Sequence, residues 1–382
     1  MSAWTVRFLF LGNPRTDRRL KNFIGLFSEL CFKVELIYAS PRTANNVSPF
    51  TIPDILIHEI HLANSRGAKM FLQYDKLLQD ELAKREPCDI LFACDLYSLK
   101  ASAQARKIGK AKKLFYDARE LYTELPTVAG NPIKKLFWKR WERRGLTQTD
   151  VVIVTAPDDA GAIKQVHGFL PESILIRNLP KREGFNLNNY LRDYFAIPGN
   201  KKIMVYVGGL QLDRGLEKVI ESMRVLKTEA VFIMVGEGEL EETLQKKTKQ
   251  LDLDNDIFFH PPIESARVIE ILSSADIGIS LIEQSSKSYQ LALPSKIFEY
   301  MLAGLPVISS PLKQVKDLFD KRDNIFYADP DNETELIETC RTALAVNNNL
   351  EIKQSIRNKA SKNYTFETDS ELLTKYLAKL IN

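Results

Sequence analysis

Lys202–Val235 reads KIMVYVGGLQLDRGLEKVIESMRVLKTEAVFIMV. Two apolar runs, Lys202–Val207 and Ala230–Val235, have strand length and bracket a helical segment. The first run stops at Gly208-Gly209, and Arg214-Gly215 opens the helix. Strand, glycine turn, helix and strand make one βαβ unit, and such units build parallel sheets. Glycines let backbone come close to a ligand. An arginine at a helix start suits a diphosphate. A plain strand–loop–helix turn accounts for the same residues, so both readings stand at this point.

Working outward, the rhythm continues downstream with strands at Ile257–Phe259, Asp276–Leu281, Pro306–Ser309 and Ile325–Tyr327, separated by helices. Upstream it is broken at Pro180–Asn200 (PKREGFNLNNYLRDYFAIPGN) by polar residues, Pro and Gly. Before that break the same series runs once already. Strands are expected at Thr5–Leu11, Lys33–Ala39, around Ile55–Ile60, at Asp89–Ala93, Lys113–Tyr116 and Val151–Thr155. Helices are expected over Asp17–Phe32, with Leu20, Phe23, Ile24, Phe27 and Leu30 on one face, and over about Lys69–Arg85. The chain has 382 residues, a length that suits two domains. The expected class is α/β, with two Rossmann-like doubly wound domains facing a central cleft. Their expected bounds are 1–178 and 179–365. A last helix, 366–382, is expected to cross back to the first domain, with Leu372, Leu373, Tyr376, Leu377 and Leu380 on its apolar face.

Composition excludes other classes. Apolar residues are 45% and charged residues 27%, ordinary globular usage that argues against disorder, collagen and coiled coil. No apolar run approaches the ~18 residues of a membrane span. The opening MSAWTVRFLFLGNPR has no basic lead-in and runs into a turn, unlike a secretory signal. Cys31, Cys88, Cys94 and Cys340 form no CxxC pair, so reduced thiols and a cytoplasmic location are expected. Residues 1–180 hold 27 Lys+Arg and 19 Asp+Glu, a balance of +8; the remainder holds 26 and 30, a balance of −4. Opposite charge on the two halves suggests different partners.

Leu293–Ser310, LPSKIFEYMLAGLPVISS, carries the most chemistry. Pro294 suits a first helical turn, and Ser295 is expected to cap it. Ile297, Phe298, Met301 and Leu302 give the buried face. Lys296 and Glu299 are three apart and so neighbours on the helix surface. A helix N-terminus offers free N–H groups and a positive dipole to a phosphate, and Lys296 adds charge there. Glu299, one turn in, is placed to accept from ribose hydroxyls. A solvated Lys–Glu pair on a surface helix fits the spacing equally well. Val235–Glu239, VGEGE, is a lone G-x-G after a strand, without the rest of a dinucleotide fingerprint.

Together, VGGLQLDRGLEKVIESM, VGEGELEETL, FFHPPIESARVIEILSSADIGISL and PSKIFEYMLAGLPVIS resemble glycosyltransferase family 4, the retaining nucleotide-sugar transferases of GT-B fold. The resemblance covers about residues 200–330 well and the first half loosely. It implies a metal-independent transferase, with no cofactor, moving a sugar from a UDP- or GDP-linked donor. The acceptor would be a glycan or lipid-linked acceptor in surface polysaccharide or glycolipid assembly. By the same resemblance the donor is held by Gly12, Gly208, Gly209, Arg214, Gly236, Gly238, Pro262, Ile263, Ser295, Lys296 and Glu299. Arg214 and Lys296 stabilise the leaving diphosphate. Arg119 and Glu120, in YDAREL (Tyr116–Leu121), stand near the reaction centre. The departures are Leu291, where many members carry a first glutamate, Arg119, where histidine is commoner, and a missing arginine near Gly209. Leu291 and Arg119 keep a non-catalytic nucleotide-sugar-binding subunit open as a rival, and among enzymes the rival is a GT-B sugar-nucleotide epimerase.

Asp252-Leu-Asp254-Asn-Asp256 lacks the glycine and terminal glutamate of a calcium loop and reads as a turn. His58, His61, His167 and His260 have no zinc spacing, so no metal is expected. Asn131–Arg144, NPIKKLFWKRWERR, is a basic helix with interleaved aromatics. It either lies on an anionic membrane surface, which would make the protein peripheral on the inner face, or packs Leu136, Phe137 and Trp141 inward. No nucleic-acid module is recognised.

Overall fold

The computed structural model describes residues 4–40, 50–63, 67–182, 184, 186–346 and 349–381. Glu183 and Phe185, in the polar break, lie outside the described residues. The chain divides into two compact units, one of residues up to Arg177 together with Asp369 onward, the other of Asn178–Thr368.

The first unit holds β1 (Thr5–Leu11), β2 (Lys33–Ala39), β3 (Leu56–Glu59), β4 (Cys88–Ala93), β5 (Ala111–Ala118), β6 (Val151–Val154) and β7 (Glu172–Leu175). They lie in the order β3-β2-β1-β4-β5-β6-β7, every pairing parallel. Consecutive residues of β1, such as Phe8 and Leu9, are both fully buried. A parallel sheet covered by helices on both faces requires this. β7 is absent from the sequence expectation because its four residues, ESIL, include two exposed polar ones at the sheet edge. β5 extends past the expected Tyr116 because the next residue, Asp117, is a buried carboxylate with arginine partners. The helix Arg18–Glu29 begins where Asp17 accepts a hydrogen bond from the Leu20 N–H at 2.7 Å, an N-cap.

The second unit holds β8 (Lys202–Val207), β9 (Ala230–Val235), β10 (Ile257–His260), β11 (Ile277–Ser280), β12 (Val307–Ser309) and β13 (Ile325–Tyr327), in the order β10-β9-β8-β11-β12-β13, again all parallel. Alternate residues feed two cores. Ile203, Val205 and Val207 join one cluster with Ile297 and Phe298. Met204 and Tyr206 join the other with Leu216 and Ile220.

The closing helix runs Phe366–Ile381. At its start the Phe366 N–H donates to Pro180 O at 2.8 Å within the second unit. Further along, Leu373 and Leu377 are buried and Tyr376 meets Phe115 edge-on. Leu372, expected on that face, is exposed, because it points about 100° away from Leu373 on a helix.

Strand order reverses beside β1, where β4 pairs on the side opposite β2, and beside β8, where β11 pairs opposite β9. In open α/β sheets such switch points open a crevice at the carboxyl ends of the strands. The expected site residues follow strands at both.

Candidate functional site

In the second unit, the turn after β8 is stitched to the turn after β9. Gly208 N–H donates to Val235 O at 2.9 Å, and Leu210 N–H to Glu237 O at 3.0 Å. Gly208 and Gly236 have φ of 132° and 143°, a region only glycine adopts readily. A Cβ on Gly236 would stand 2.1 Å from Gly208 O, and one on Gly238 2.2 Å from Leu210 O. Close backbone packing of two loops therefore accounts for both glycines. Gly236→Ala is expected to destabilise the protein by about 1–3 kcal/mol, the scale of stored backbone strain, which a urea melt would read.

Helix Ser295–Leu302 enters from the β11 side of this switch point. Pro294, with φ −65° and ψ 126°, occupies the cap position, and Ser295 is the first helical residue. The cap expected from Ser295 does not form, because the hydroxyl is one residue too far along to reach back. No side-chain hydrogen bond caps the helix; the Ile297 N–H donates to Pro294 O at 3.2 Å, and a helix N-terminus is where an anion is favoured. Lys296 lies over the Gly208 turn. Its Nζ donates to Tyr206 Oη at 3.2 Å and sits 4.4 Å from that ring's centre. A Cβ on Gly208 would be 3.4 Å from Nζ. Arg214 stands between Asp213 and Gly215, both at positive φ, with its guanidinium 5.1 Å from the centre of the Tyr289 ring. Among the described residues no carboxylate pairs with Lys296 or Arg214. Glu299 is 8% exposed, one turn into the helix. Gly209 follows Gly208, and its carbonyl accepts from Tyr206 Oη at 2.8 Å. Pro262 is exposed and Ile263 half-buried in the loop after β10. Leu291 offers its carbonyl to Gln314 Nε2.

Sequence reasoning passed over Tyr300. Its hydroxyl accepts from the Val207 N–H at 3.1 Å and donates to Ile279 O at 3.0 Å, so it joins the ends of β8 and β11. Its ring fills the space beside Gly278, where a Cβ would meet it at 2.2 Å. Burial holds the phenol well above its ordinary pKa, keeping it a neutral donor. On an apolar helix face the tyrosine looks like one more core ring.

In the first unit, Gly12 N–H donates to Ala39 O at 2.9 Å, and a Cβ on Gly12 would strike the Phe10 ring at 2.4 Å. Arg119 stacks on Phe10 at 5.1 Å from its centre. Arg119 Nε donates to Asp117 Oδ2 at 3.0 Å and Nη1 to Asp17 Oδ2 at 2.5 Å. Asp117 also takes a bidentate grip from Arg19 at 2.7–3.1 Å. Burial works against the Arg119 charge, but Asp17 and Asp117 outweigh it and raise the guanidinium further above its ordinary pKa. Glu120 is exposed beside it. Asp95, also missed, joins the two sides of the β1/β4 switch. One oxygen accepts from the Leu11 N–H at 2.8 Å and the other from the Ser98 N–H at 2.7 Å. Burial raises its pKa despite these donors. An N-cap aspartate followed by a helix was the available signal. The predicted set thus falls into two groups: Gly12, Arg119 and Glu120 on the first unit, and the remainder at the carboxyl edge of the second sheet.

The basic helix runs Pro132–Leu146. Trp141 is buried and its Nε1 donates to Leu96 O at 3.1 Å. Leu136 and Phe137, expected inward on the packing reading, are 49% and 41% exposed, and Ile133 is 81% exposed. Trp138 fills the inner position, edge-on to Phe71 and Tyr97. Among the described residues no cluster of three His, Cys, Asp or Glu could hold a metal ion. Among the described residues no helix is long and apolar enough to cross a membrane.

The model of the family described as glycosyl transferases group 1 matches residues 190–363, inside the second unit. The second unit is a glycosyl transferases group 1 domain. The chain is 34% identical over 115 residues to the protein named colanic acid biosynthesis glycosyl transferase WcaI of Escherichia coli (strain K12), over 30% of this chain and 28% of that one. The matched stretch spans under half the length of the curated relatives it matches. Whole-chain likeness is structural. Sucrose-phosphate synthase from Thermosynechococcus elongatus superposes with a TM-score of 0.81 at 15% identity, over 99% of both chains. Anabaena Alr3699/HepE in complex with UDP and glucose gives 0.71 at 16%, over 98% of this chain and 99% of that one. At that identity these likenesses show the fold, which is GT-B. The group 1 match begins at 190 and ends at 363, so it includes Arg214, Lys296 and Glu299 and leaves out Gly12, Arg119 and Glu120.

Proposed function

We propose that this chain is a retaining glycosyltransferase that moves a sugar from a nucleoside-diphosphate sugar to a glycan or glycolipid acceptor in surface polysaccharide assembly. One observation carries the reading. Lys296 lies over the Gly208 turn at a helix N-terminus with no side-chain cap, Arg214 lies in the loop that follows the same turn, and among the described residues neither pairs with a carboxylate, all at a strand-order switch. That combination suits a diphosphate. Glu299 would hold the ribose hydroxyls, and the Pro262-Ile263 loop the base. The name of WcaI supports the pathway class, and the UDP in the HepE complex supports a nucleotide-linked donor.

The bond from the sugar's anomeric carbon to the diphosphate oxygen breaks while the acceptor oxygen bonds to that carbon from the same face. The acceptor proton passes to the leaving diphosphate oxygen. The protein's contribution is to position the partners and stabilise the growing diphosphate charge. Lys296, Arg214 and the helix N-terminus supply the positive charge that a metal supplies elsewhere, so chelation by EDTA is expected to leave the rate unchanged. Arg119 already answers two carboxylates and enters as a positioning residue for the segment carrying Glu120.

Thermal shift against UDP, GDP, ADP, CMP and their sugars tests the donor site. A ligand at 100 times its dissociation constant adds about 2.7 kcal/mol. One nucleotide should stabilise the wild type and fail to stabilise Glu299→Ala. No shift with any nucleotide would remove the assignment.

The exposed Ile133, Leu136 and Phe137, amid Lys134, Lys139, Arg140, Arg143 and Arg144, favour an anionic membrane surface as a partner of the first unit. Co-sedimentation with vesicles containing anionic lipid should fall at least tenfold when the three are changed to serine, a floor for three apolar side chains that contribute up to about 1.5–3 kcal/mol each when fully buried. Binding unchanged by that substitution would refute the contact.

A further inference from the structure

Three aromatic residues converge on the last residue of β10. His260 is 6% exposed, with ring centres 4.9 Å from Tyr194, 5.7 Å from Tyr190 and 6.2 Å from Phe195. Its Nδ1 lies 2.7 Å from Pro261 O, and its Nε2 3.0 Å from Tyr190 Oη. A carbonyl only accepts, so Nδ1 carries the hydrogen. Nε2 is then bare and accepts from the Tyr190 hydroxyl. Tyr190 is itself tied down. Its N–H donates to Asn188 Oδ1 at 2.9 Å, Asn188 Nδ2 donates to Glu270 O at 2.7 Å, and Arg267 lies 5.7 Å over the tyrosine ring.

The next two residues are Pro261 and Pro262. Neither has an N–H, so this stretch of loop can be held through its carbonyls alone. His260 provides both holds. Its side chain takes Pro261 O, and its own carbonyl accepts from the Gly236 N–H at 3.0 Å, which ties the loop to the turn after β9. We propose that His260, oriented by Tyr190, is the positioning residue for the Pro261–Ile263 loop and thereby sets recognition of the donor's nucleobase. This rests on the donor-site reading above. His260 is too deep to touch the ligand and acts through Pro261.

The test compares calorimetric affinity for UDP and GDP with affinity for inorganic pyrophosphate. His260→Phe keeps the ring and loses the hydrogen bond. Affinity for the preferred nucleotide should fall about 3- to 10-fold, the range of one net hydrogen bond, with pyrophosphate affinity unchanged. His260→Asn, whose amide nitrogen can donate in place of Nδ1, should recover most of the loss. Tyr190→Phe should give a smaller loss of the same kind, and it keeps the test open where the histidine variant does not fold. With sugar donor, KM should rise and kcat hold. Nucleotide affinity unchanged in folded His260→Phe or Tyr190→Phe, or an equal loss for pyrophosphate, would overturn the proposal. A wild type that binds no nucleotide would instead sink the donor site, and this inference with it.

Discussion

Lys296→Ala is expected to lower kcat by about 10²–10³-fold, the cost of about 2.7–4 kcal/mol seen when one preorganised donor to a developing anion is lost. Among the described residues the ammonium is anchored by Tyr206, through its hydroxyl at 3.2 Å and the ring below it. A tyrosine orients the charge without neutralising it, so the charge is available to a leaving group. As the sugar–oxygen bond breaks, charge moves onto the diphosphate, and a fixed cation gains more there than in the ground state. The fall should therefore appear equally in kcat and kcat/KM, with a smaller change in KM. Stability should hold, because removing a half-exposed lysine leaves no unpaired acid behind. Lys296→Arg should recover part of the rate, since the wider guanidinium must fit over a turn so close that a Cβ on Gly208 would touch Nζ at 3.4 Å. Steady-state kinetics with the donor that passes the thermal-shift test would read these numbers. A loss below threefold would remove Lys296 from the transition state.

The two sheets were legible because parallel strands buried on both faces are written as apolar runs, and runs such as TVRFLFL and AVFIMV have no other reading. Legibility failed where burial was polar or absent. β5 outran its apolar core because Asp117 is inside, and β7 is an edge strand with little to bury. The second-unit candidates lie together because each follows a strand, and topology delivers strand ends to one edge. What the sequence could not supply was the partner of each charge. Lys296 and Glu299 read as a solvated pair or as a ligand site, and neither reading contained the tyrosine 90 residues away that Lys296 meets. Arg119 read as a cation facing a reaction centre. Three-dimensional contact gave it Asp17, 102 residues earlier in the chain. Tyr300 and Asp95 were missed for the same reason. Their meaning lies in the two strands that each one joins.

Asp117→Ala is expected to be the most damaging single change in the first unit, at about 3–5 kcal/mol, the cost of removing one partner from a buried ion pair. Asp117 has no exposed surface and receives Arg19 through two nitrogens and Arg119 through a third. Arg19 is almost equally buried, and its Nη1 is committed to the carbonyls of Ile176 and Arg177 at 2.9 and 3.1 Å. Without Asp117, Arg19 keeps its charge in the interior with carbonyl dipoles and the face of the Phe23 ring, 5.0 Å away, to answer it, because a guanidinium does not deprotonate. Arg119 would retain Asp17, which is also the N-cap of helix Arg18–Glu29. Asp17→Ala should therefore cost less, about 0.5–2 kcal/mol for a lost cap. Urea melts would rank the two. Salt should not rescue Asp117→Ala, because buried charges are little screened. Arg19→Met placed on the Asp117→Ala background should restore part of the loss, since it removes the stranded charge. If it deepens the loss instead, the damage lies in the cavity and not in the charge. A cost of Asp117→Ala below about 1 kcal/mol, the range of an exposed ion pair, would show that the interior reaches water. Arg119 would then be free to meet a ligand after all.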